Sequence, residues 1–234
     1  QFNYSYRSRV FFPYSIAMLI SYIKTKKELA QNLKFERTFV LREKVDDDIQ
    51  KCKDLEILLC SCYVWNWEIT NYFAKEVKKI NPNCLIVFGG PQVPNHSEGF
   101  FEEYPYVDIL VHGEGEHVLA NLFAAFLKNK NYSNVNGIET KDFRNPPEPR
   151  IDNLEAIPSV YLTNLMWDVV EKIGGVHWLA SWETNRGCPY ACTFCDWGSA
   201  TATKMRKFSD ERLFKEIEWF ANNKILFIYC CDAN

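Results

Sequence analysis

The sequence lacks several features that would place it in common classes of protein. No apolar run is long enough to cross a membrane as a helix, and no signal peptide is present. The formal net charge is only −3, so the composition gives no reason to expect binding to nucleic acid or to an anionic membrane. The chain has 4 histidines, and none of them lies within residues 1–12. These absences leave globular enzymes and binding proteins as the classes to consider.

The composition indicates a folded chain in a reducing compartment. The 234 residues are 47% hydrophobic, enough for one large domain or two ordinary ones. The 9 cysteines are not spaced like a small disulfide framework, which fits a reducing compartment and metal binding. We therefore expect a cytoplasmic protein. The chain begins with Gln and ends with Asn straight after a strand-like run, and we expect it to be a fragment.

Short apolar runs alternate with amphipathic helices over the first two thirds of the chain. Residues 55–62, 84–88 and 107–111 are typical of strands buried on both faces. Helices are predicted at 13–31, 67–80 and 115–128, a strand at 35–41, and either a short helix or a solvated turn from Asp46. This alternation predicts an α/β fold with a Rossmann-like, doubly wound parallel sheet.

A ligand of such a sheet binds beyond the carboxyl ends of the strands. Glycines at these ends would let the backbone approach a broad ligand closely. The sequence has no G-x-G-x-x-G fingerprint there, so a nucleotide is weakly supported. The candidate ligand contacts are Ser61, Tyr63, Gly89, Gly90, Pro91, Gln92, Gly113, Glu114 and Gly115.

A proline-rich stretch at 145–149 indicates a domain boundary, since proline cannot continue a helix or a central strand. We predict a first domain at 1–144, a linker at 145–177 and a second domain at 178–234. The second domain would contain a strand from residue 177, a helix at 210–222 with Ser209 as N-cap, and a strand at 224–231.

Three cysteines, Cys188, Cys192 and Cys195, follow the first strand of that second domain with Cys-x3-Cys-x2-Cys spacing. Three thiolates on one loop can ligate three irons of a cubane cluster and leave the fourth iron open. Structural zinc requires four ligands, and the nearest histidine is His177, so zinc is a weaker alternative. Buried structural thiols are a third reading, which the exposed character of the loop disfavours.

This loop resembles the signature of radical S-adenosylmethionine (SAM) enzymes, with the lead-in at 186–189 and an aromatic residue before the last cysteine. The resemblance implies a 4Fe-4S cluster, cleavage of SAM to a 5′-deoxyadenosyl radical, and the start of a partial (β/α)6 barrel. It also implies that Phe194 contacts the adenine of SAM. Many members hold the SAM amino group with Gly-Gly-Glu, and here Asp232 or Asn234 would take that place.

The strand ends and the cysteine loop together resemble the cobalamin-dependent class of this family. That resemblance implies cobalamin bound base-off at residues 1–144, without a histidine ligand, so that His112 would only hydrogen-bond nearby. It implies methyl transfer to an unactivated carbon or phosphorus centre of a small molecule or peptide, with flavodoxin or ferredoxin as reductant. The alternatives are a ring-forming or ring-rearranging reaction with the same cofactors, and a non-enzymatic metal-binding module.

Overall fold

The computed structural model describes residues 1–3, 5–6, 8–171, 173–195 and 203–233. The strands are β1 (Ser5–Tyr6), β2 (Arg9–Phe11), β3 (Ile57–Ser61), β4 (Leu85–Gly89), β5 (Ile109–Val111), β6 (Ile138–Glu139), β7 (His177–Trp182), β8 (Asn185–Arg186), β9 (Arg206–Lys207) and β10 (Ile228–Cys230). The α-helices are α1 (Tyr14–Lys24), α2 (Lys27–Asn32), α3 (Val45–Gln50), α4 (Trp67–Ile80), α5 (Phe100–Glu103), α6 (Gly115–Lys128), α7 (Leu165–Asp168) and α8 (Asp210–Asn222). Short 3-10 turns lie at Arg42–Lys44 and Leu154–Ala156.

The first sheet has the order β3-β4-β5-β6, with β3, β4 and β5 parallel and β6 antiparallel to β5. Its strands are nearly continuous apolar runs because both faces are covered. Leu58, Ile86 and Leu110 share one buried core, while Val87 and Ile109 belong to the core on the opposite face. The doubly wound arrangement predicted from the sequence is therefore confirmed.

Helices cover both faces of this sheet. Helices α1, α2 and α6 pack together on the face that carries Val87, and α3 packs on α4 on the other face. Helix α4 buries Phe73, Ala74 and Val77, which recur at helical spacing along its inner side. The bounds of α4 and α6 are those that the apolar periodicity predicts.

The second sheet has the order β1-β2-β7-β10. Strands β7 and β10 are parallel and are joined through α8, which makes one βαβ unit. Strand β2 lies parallel to the other edge of β7, with Val10 opposite Trp178. Strands β1 and β2 therefore lie in the second sheet, although the predicted first domain at 1–144 includes them.

Two elements near the amino end differ from the sequence expectation. Residues 35–41 are not a strand, and their backbone hydrogen bonds go singly to other segments, such as Thr38 N–H to the Val169 carbonyl at 2.8 Å. The helix expected at 13–31 is divided, since the Thr25 hydroxyl donates to the Tyr22 carbonyl at 2.7 Å and Lys26 is extended. A Thr side chain that bonds back to the helix competes with the backbone ladder.

The segment at 145–177 packs between the two sheets. Tyr161 is buried and its ring contacts Tyr14 of α1 and Trp219 and Phe220 of α8. The Tyr161 hydroxyl donates to the Ser181 carbonyl of β7. The segment therefore carries core residues of its own. Over the described ranges, no helix is long and apolar enough to cross a membrane.

Candidate functional site at the junction of the two sheets

The carboxyl ends of the two sheets face each other. Arg186, just after β7, lies with its Nη2 atom 2.7 Å from Oε1 of Glu116 in the first turn of α6, just after β5. Oε2 of Glu183, also beyond β7, accepts from Arg186 Nε at 2.9 Å. The loops that follow the parallel strands of both sheets therefore share one junction, where ligands of parallel sheets bind.

The cysteine loop leaves this junction from a short antiparallel ribbon. Strand β8 pairs with β9, so that Arg186 stands opposite Arg206 at the base of the loop. Gly187 has φ +104°, and a Cβ there would lie 2.5 Å from the Lys204 carbonyl oxygen. The Thr203 N–H donates to the Cys188 carbonyl at 2.8 Å. Both ends of the loop are thus held together at its base.

Between Tyr190 and Cys195 the loop has no regular secondary structure and is exposed to solvent. Cys188 is half-buried, Cys192 and Cys195 are exposed, and the Cys195 N–H donates to the Cys192 carbonyl at 3.1 Å. Phe194 is 89% exposed. In the described part of the chain no group of three His, Cys, Asp or Glu side chains is gathered around one point as a metal site. The three thiols remain a predicted ligand set.

The donor chemistry of this loop nevertheless fits an iron–sulfur cluster, which needs several thiolates that are not locked in a core. The cysteines of the first domain are unsuited to that role. Cys60 and Cys84 are buried, and burial raises the pKa of Cys60 to about 12 and that of Cys84 to about 11. Such thiols stay protonated near neutral pH, and thiolate is the form that binds metal.

Asp232, predicted to hold the SAM amino group, lies directly after β10. Its Oδ1 accepts from the Thr184 N–H at 2.7 Å and from the Asn185 N–H at 3.1 Å, and its Oδ2 accepts from the Thr184 hydroxyl at 2.7 Å. Both carboxylate oxygens therefore fix the start of the cysteine loop to the end of β10. Asn234 lies outside the described residues.

The turn after β4 is bound tightly to the end of β3. Gly90 has φ +110°, and a Cβ there would lie 2.7 Å from the Cys62 carbonyl oxygen. The Cys62 N–H donates to the Gly89 carbonyl at 2.7 Å, and the Gln92 N–H donates to the Cys62 carbonyl at 3.1 Å. Pro91 is exposed and Gln92 half-buried. The structure thus supports a close approach at Gly90, but the approaching group is protein backbone.

Ser61 and Tyr63 form a polar group at the end of β3. Ser61 Oγ lies 3.0 Å from Ser15 Oγ at the start of α1, and both serines act to lower the pKa of the Tyr63 hydroxyl against the larger effect of burial. Burial raises the pKa of Tyr63. The Tyr63 ring stacks on Trp65, with centroids 4.3 Å apart and planes at 12°. Trp65, half exposed at this edge, is a residue that sequence reasoning missed, although it lies two positions from Tyr63.

The residues of the turn after β5 make close contacts with other segments of the protein. Gly113 has φ +76°, and Gly115 faces Leu19 of α1, whose Cδ2 atom would lie 2.9 Å from an added Cβ. Glu114, predicted to contact a cofactor, binds Arg206, with Oε1 2.5 Å from Nη2 and Oε2 3.1 Å from Nη1. Its Oε2 also accepts from the Ile151 N–H at 3.1 Å. Burial opposes ionisation, but these arginine contacts hold the pKa of Glu114 below its ordinary value.

His112 lies at the end of β5 and is largely buried. Its Nε2 atom is 3.0 Å from Oε2 of Glu139, a hydrogen bond that fits the expected supporting role. Glu139 also accepts from the Ser97 hydroxyl. Burial lowers the pKa of His112, against the opposing effect of Glu139.

Sequence reasoning missed the charged residues that join the two loops. The contacts predicted from the sequence do not include Glu116, Glu183 or Arg206, and they include Arg186 only within the lead-in to the cysteines at 186–189. A signal was available, since Glu114 and Glu116 alternate with two glycines at a strand end. The partners of these carboxylates are about 70 and 90 residues away in the sequence, so only the tertiary structure brings them together.

Comparison with known proteins assigns a class to this architecture. Residues 14–123 match the model of the B12 binding domain. This range contains β3, β4 and β5 with the helices on both faces of the sheet, and these elements form a B12-binding domain.

Curated relatives extend the match to the cysteine loop and beyond. The cobalamin-dependent radical SAM methyltransferase TokK of Streptomyces tokunonensis is 41% identical over 96% of this chain. The 2-(S-pantetheinyl)-carbapenam-3-carboxylate methyltransferase of Streptantibioticus cattleyicolor is 38% identical over 96% of the chain. The chain belongs to the family of cobalamin-dependent radical SAM enzymes. It spans 34% of the length of each of these two relatives.

Solved structures show the same fold at lower identity. The cobalamin-dependent SAM radical enzyme OxsB, solved with aqua-cobalamin and SAM, superposes with a TM-score of 0.69 and 21% identity, over 97% of this chain and 32% of that one. The radical SAM methyltransferase TsrM of Kitasatospora setae superposes with a TM-score of 0.67 and 18% identity, over 95% of this chain and 45% of that one.

Proposed function

We propose that this chain provides the cobalamin-binding domain and the cluster loop of a radical SAM methyltransferase. Its substrate is a small molecule with an unactivated carbon or phosphorus centre. The enzyme works in the cytoplasm and receives electrons from a reductant such as flavodoxin or ferredoxin. The relatives at 41% and 38% identity, both named methyltransferases, support methylation over other reactions of the family.

The observation that carries this proposal is the meeting of the cysteine loop and the glycine turns at one junction. Arg186 lies two residues before Cys188 and contacts Glu116, which directly follows Gly115. A ligand of the first sheet and a ligand of the cysteine loop would therefore be neighbours. Two cofactors that act on one substrate require such an arrangement.

Different residues of the chain would bind the three cofactors. Cys188, Cys192 and Cys195 would hold the 4Fe-4S cluster, and Phe194 would cover the adenine of SAM. The turns at 89–92 and 113–115, with Ser61 and Tyr63, would line the cobalamin site. Asp232 would fix the cysteine loop at the strand end, because its oxygens are bound to Thr184 and Asn185. When bound, the cluster and SAM supply the radical chemistry and cobalamin supplies the methyl group.

A cysteine substitution tests the cluster assignment. Cys192→Ala, in protein purified and reconstituted without oxygen, should lose most of its iron and all formation of 5′-deoxyadenosine. Cys60→Ala is the matched control, since that thiol is buried, has a pKa of about 12 and should keep both. Parent-level 5′-deoxyadenosine from Cys192→Ala would overturn the assignment. Zinc in place of iron and sulfide would favour a non-enzymatic metal-binding module.

The alternative within the family is ring formation or rearrangement with the same cofactors. The anaerobic magnesium-protoporphyrin IX monomethyl ester cyclase of Rubrivivax gelatinosus is 33% identical, but only over 56% of this chain. S-adenosylhomocysteine separates the two reactions, since only methylation produces it from SAM. Turnover of substrate without S-adenosylhomocysteine would favour the cyclase.

A further inference from the structure

We propose that Arg186 and Arg206, with Glu114 and Glu116, form a clamp that sets the distance and orientation between the cobalamin site and the cluster loop. This inference rests on the proposed function and goes further, because it assigns these four charged residues the role of positioning the two cofactor sites relative to each other. We refer to these four residues as the arginine–glutamate clamp.

Both arginines project from the base of the cysteine loop. Arg186 and Arg206 are paired across the β8–β9 ribbon, one on each side of the loop that carries Cys188, Cys192 and Cys195. The ribbon is closed by Gly187, whose missing side chain leaves room for the Lys204 carbonyl. A movement of the ribbon therefore moves both ends of the cysteine loop together.

Both glutamates belong to the turn that follows β5. Glu114 is the last residue before α6, and Glu116 lies in the first turn of that helix. Arg186 reaches Glu116 at 2.7 Å, and Arg206 binds both oxygens of Glu114 at 2.5 and 3.1 Å. Arg186 also approaches Glu114, with Nη1 3.7 Å from Oε2. The two arginines thus bind two nearby carboxylates, Glu114 just before α6 and Glu116 in its first turn.

The clamp is buried, which makes a purely stabilising role a poor explanation. The side chains of Arg186 and Arg206 are 14% and 6% exposed, and that of Glu116 is 4% exposed. Desolvating four charges costs about as much as their attraction returns, so such groups add little net stability. Buried ionic groups instead fix one geometry among similar ones, because any other arrangement leaves a charge unpaired in the interior.

The clamp also leaves one donor unused. Arg186 Nη1 is buried and has no hydrogen-bond partner among the described residues. The planar guanidinium presents its donors in a fixed fork, so Nη1 is held in place by the bonds that Nε and Nη2 make to Glu183 and Glu116. Arg186 is therefore held by Glu183 and Glu116, and its Nη1 atom lies 3.7 Å from Oε2 of Glu114. These contacts fix the position of the β8–β9 ribbon relative to the turn after β5.

The distance between the cofactors provides the test. Cob(II)alamin and a reduced 4Fe-4S cluster both carry unpaired electrons, so pulsed electron paramagnetic resonance measures their dipolar coupling in protein loaded with both. The variants are Arg186→Met, Glu116→Gln and the charge exchange Arg186→Glu with Glu116→Arg. Lys78→Met is the control, since it breaks another half-buried ion pair, 2.7 Å from Asp108.

We expect the parent and Lys78→Met to share one narrow distance distribution. Arg186→Met and Glu116→Gln should each bind both cofactors but show a weaker and broader coupling, and the charge exchange should restore part of the narrow signal. Unchanged coupling in a variant that holds both cofactors would overturn the clamp.

If Arg186→Met fails to take up the cluster, Glu116→Gln decides, because its side chain has nearly the same shape and lies outside the cysteine loop. Parent-like coupling in Glu116→Gln would again overturn the inference. A parent protein that binds no cobalamin or no iron would overturn the proposed function itself, an outcome distinct from a change in coupling.

Discussion

At the scale of single residues, the candidate site depends on glycines that have no Cβ as well as on residues with functional groups. Gly90 and Gly99 both have positive φ, but only Gly90 is pressed against backbone, at the Cys62 carbonyl. Several residues expected to face a ligand have protein partners, among them Glu114 with Arg206 and Asp232 with Thr184. These contacts connect the loops of the site to one another.

The pair Gly90→Ala and Gly99→Ala separates backbone strain from close packing. A non-glycine residue in the left-handed region costs about 1–2 kcal/mol, and Gly99→Ala should lose about that much stability. Gly90→Ala should lose about 1–3 kcal/mol more, since its Cβ would meet backbone that cannot turn aside. Urea denaturation measures both. Equal losses would show that the turn after β4 can shift away from β3.

The same glycine offers a test of cobalamin binding. Gly90→Leu should displace the turn at 89–92 and lower cobalamin affinity at least tenfold, about 1.4 kcal/mol. His112→Ala should change the affinity much less, because His112 is bonded to Glu139 and is assigned no bond to cobalt. Absorption titration with cobalamin gives both affinities. A larger loss in His112→Ala than in Gly90→Leu would contradict the histidine-free assignment.

His112 also makes stability depend on pH. Its pKa in the folded protein lies below the ordinary value of 6.5, so the unfolded chain binds the proton more readily. The free energy of unfolding should therefore fall as pH drops below about 6.5. His112→Gln should remove that part of the decline, whereas His96→Gln, at an exposed position, should keep it. Urea denaturation at several pH values measures this effect. The assignment would be wrong if the free energy of unfolding depended on pH equally in the parent and in His112→Gln.

At the scale of elements, the short β8–β9 ribbon forms the base of the cysteine loop. It joins residues 185–186 to residues 206–207, closes the cysteine loop and carries both arginines of the clamp. The helices that flank it in sequence obey local rules. Ser209 caps α8, since its hydroxyl accepts from the Arg212 N–H, as the sequence predicts.

Gly187→Ala tests the importance of the ribbon. The new Cβ would lie 2.5 Å from the Lys204 carbonyl, so the ribbon must open or shift. We expect a stability loss of about 2–4 kcal/mol and a clear drop in iron incorporated on reconstitution. Gly175→Ala is the control, because Gly175 also has positive φ but has nothing within 4 Å of its Cβ position. Full iron content in Gly187→Ala would show that the loop does not depend on a closed base.

At the scale of the whole molecule, the two sheets share one core but are not equally covered. One buried cluster runs from Phe12 and Ile23 near the amino end through Leu122 to Tyr161 and Phe220 near the carboxyl end. In contrast, large apolar side chains of α8 and the β10 segment are open to solvent: Phe214, Ile217, Leu226, Phe227 and Tyr229. Contiguous exposed apolar side chains are typical of surfaces that contact another protein segment.

This apolar surface should be measurable in the 234-residue chain. The chain should bind a hydrophobic fluorescent dye such as anilinonaphthalene sulfonate while folded, because Phe214 and Leu226 are 67% and 70% exposed. Phe214→Ser with Leu226→Ser should lower the dye signal with a change in stability within about 0.5 kcal/mol, as expected of surface positions. A large loss of stability would show that these side chains are buried.

The sequence by itself determined the doubly wound sheet, the bounds of α4, α6 and α8, and the cysteine loop as the candidate metal site. These depend on local information: apolar periodicity, caps, and the spacing of three thiols on one loop. The domain boundary was only partly predictable, because strand pairing between residues 9–11 and 177–179 is a long-range choice. Nothing in the local pattern of residues 5–11 distinguishes one sheet from the other.

Only the tertiary structure decided which polar groups are buried and which apolar groups are not. Phe214 and Ile217 of α8 are apolar but exposed, whereas Arg212 and Glu216 of the same helix are buried. This pair lies 3.0 Å apart and is bonded to the Ile157 carbonyl and the Trp182 indole N–H. A buried ion pair is tolerated where such partners satisfy both charges, and those partners come from distant segments. The arginine–glutamate clamp depends on the same physics. Its four residues are ordinary surface types in sequence, and their shared burial follows from the packing of two sheets with their carboxyl ends together.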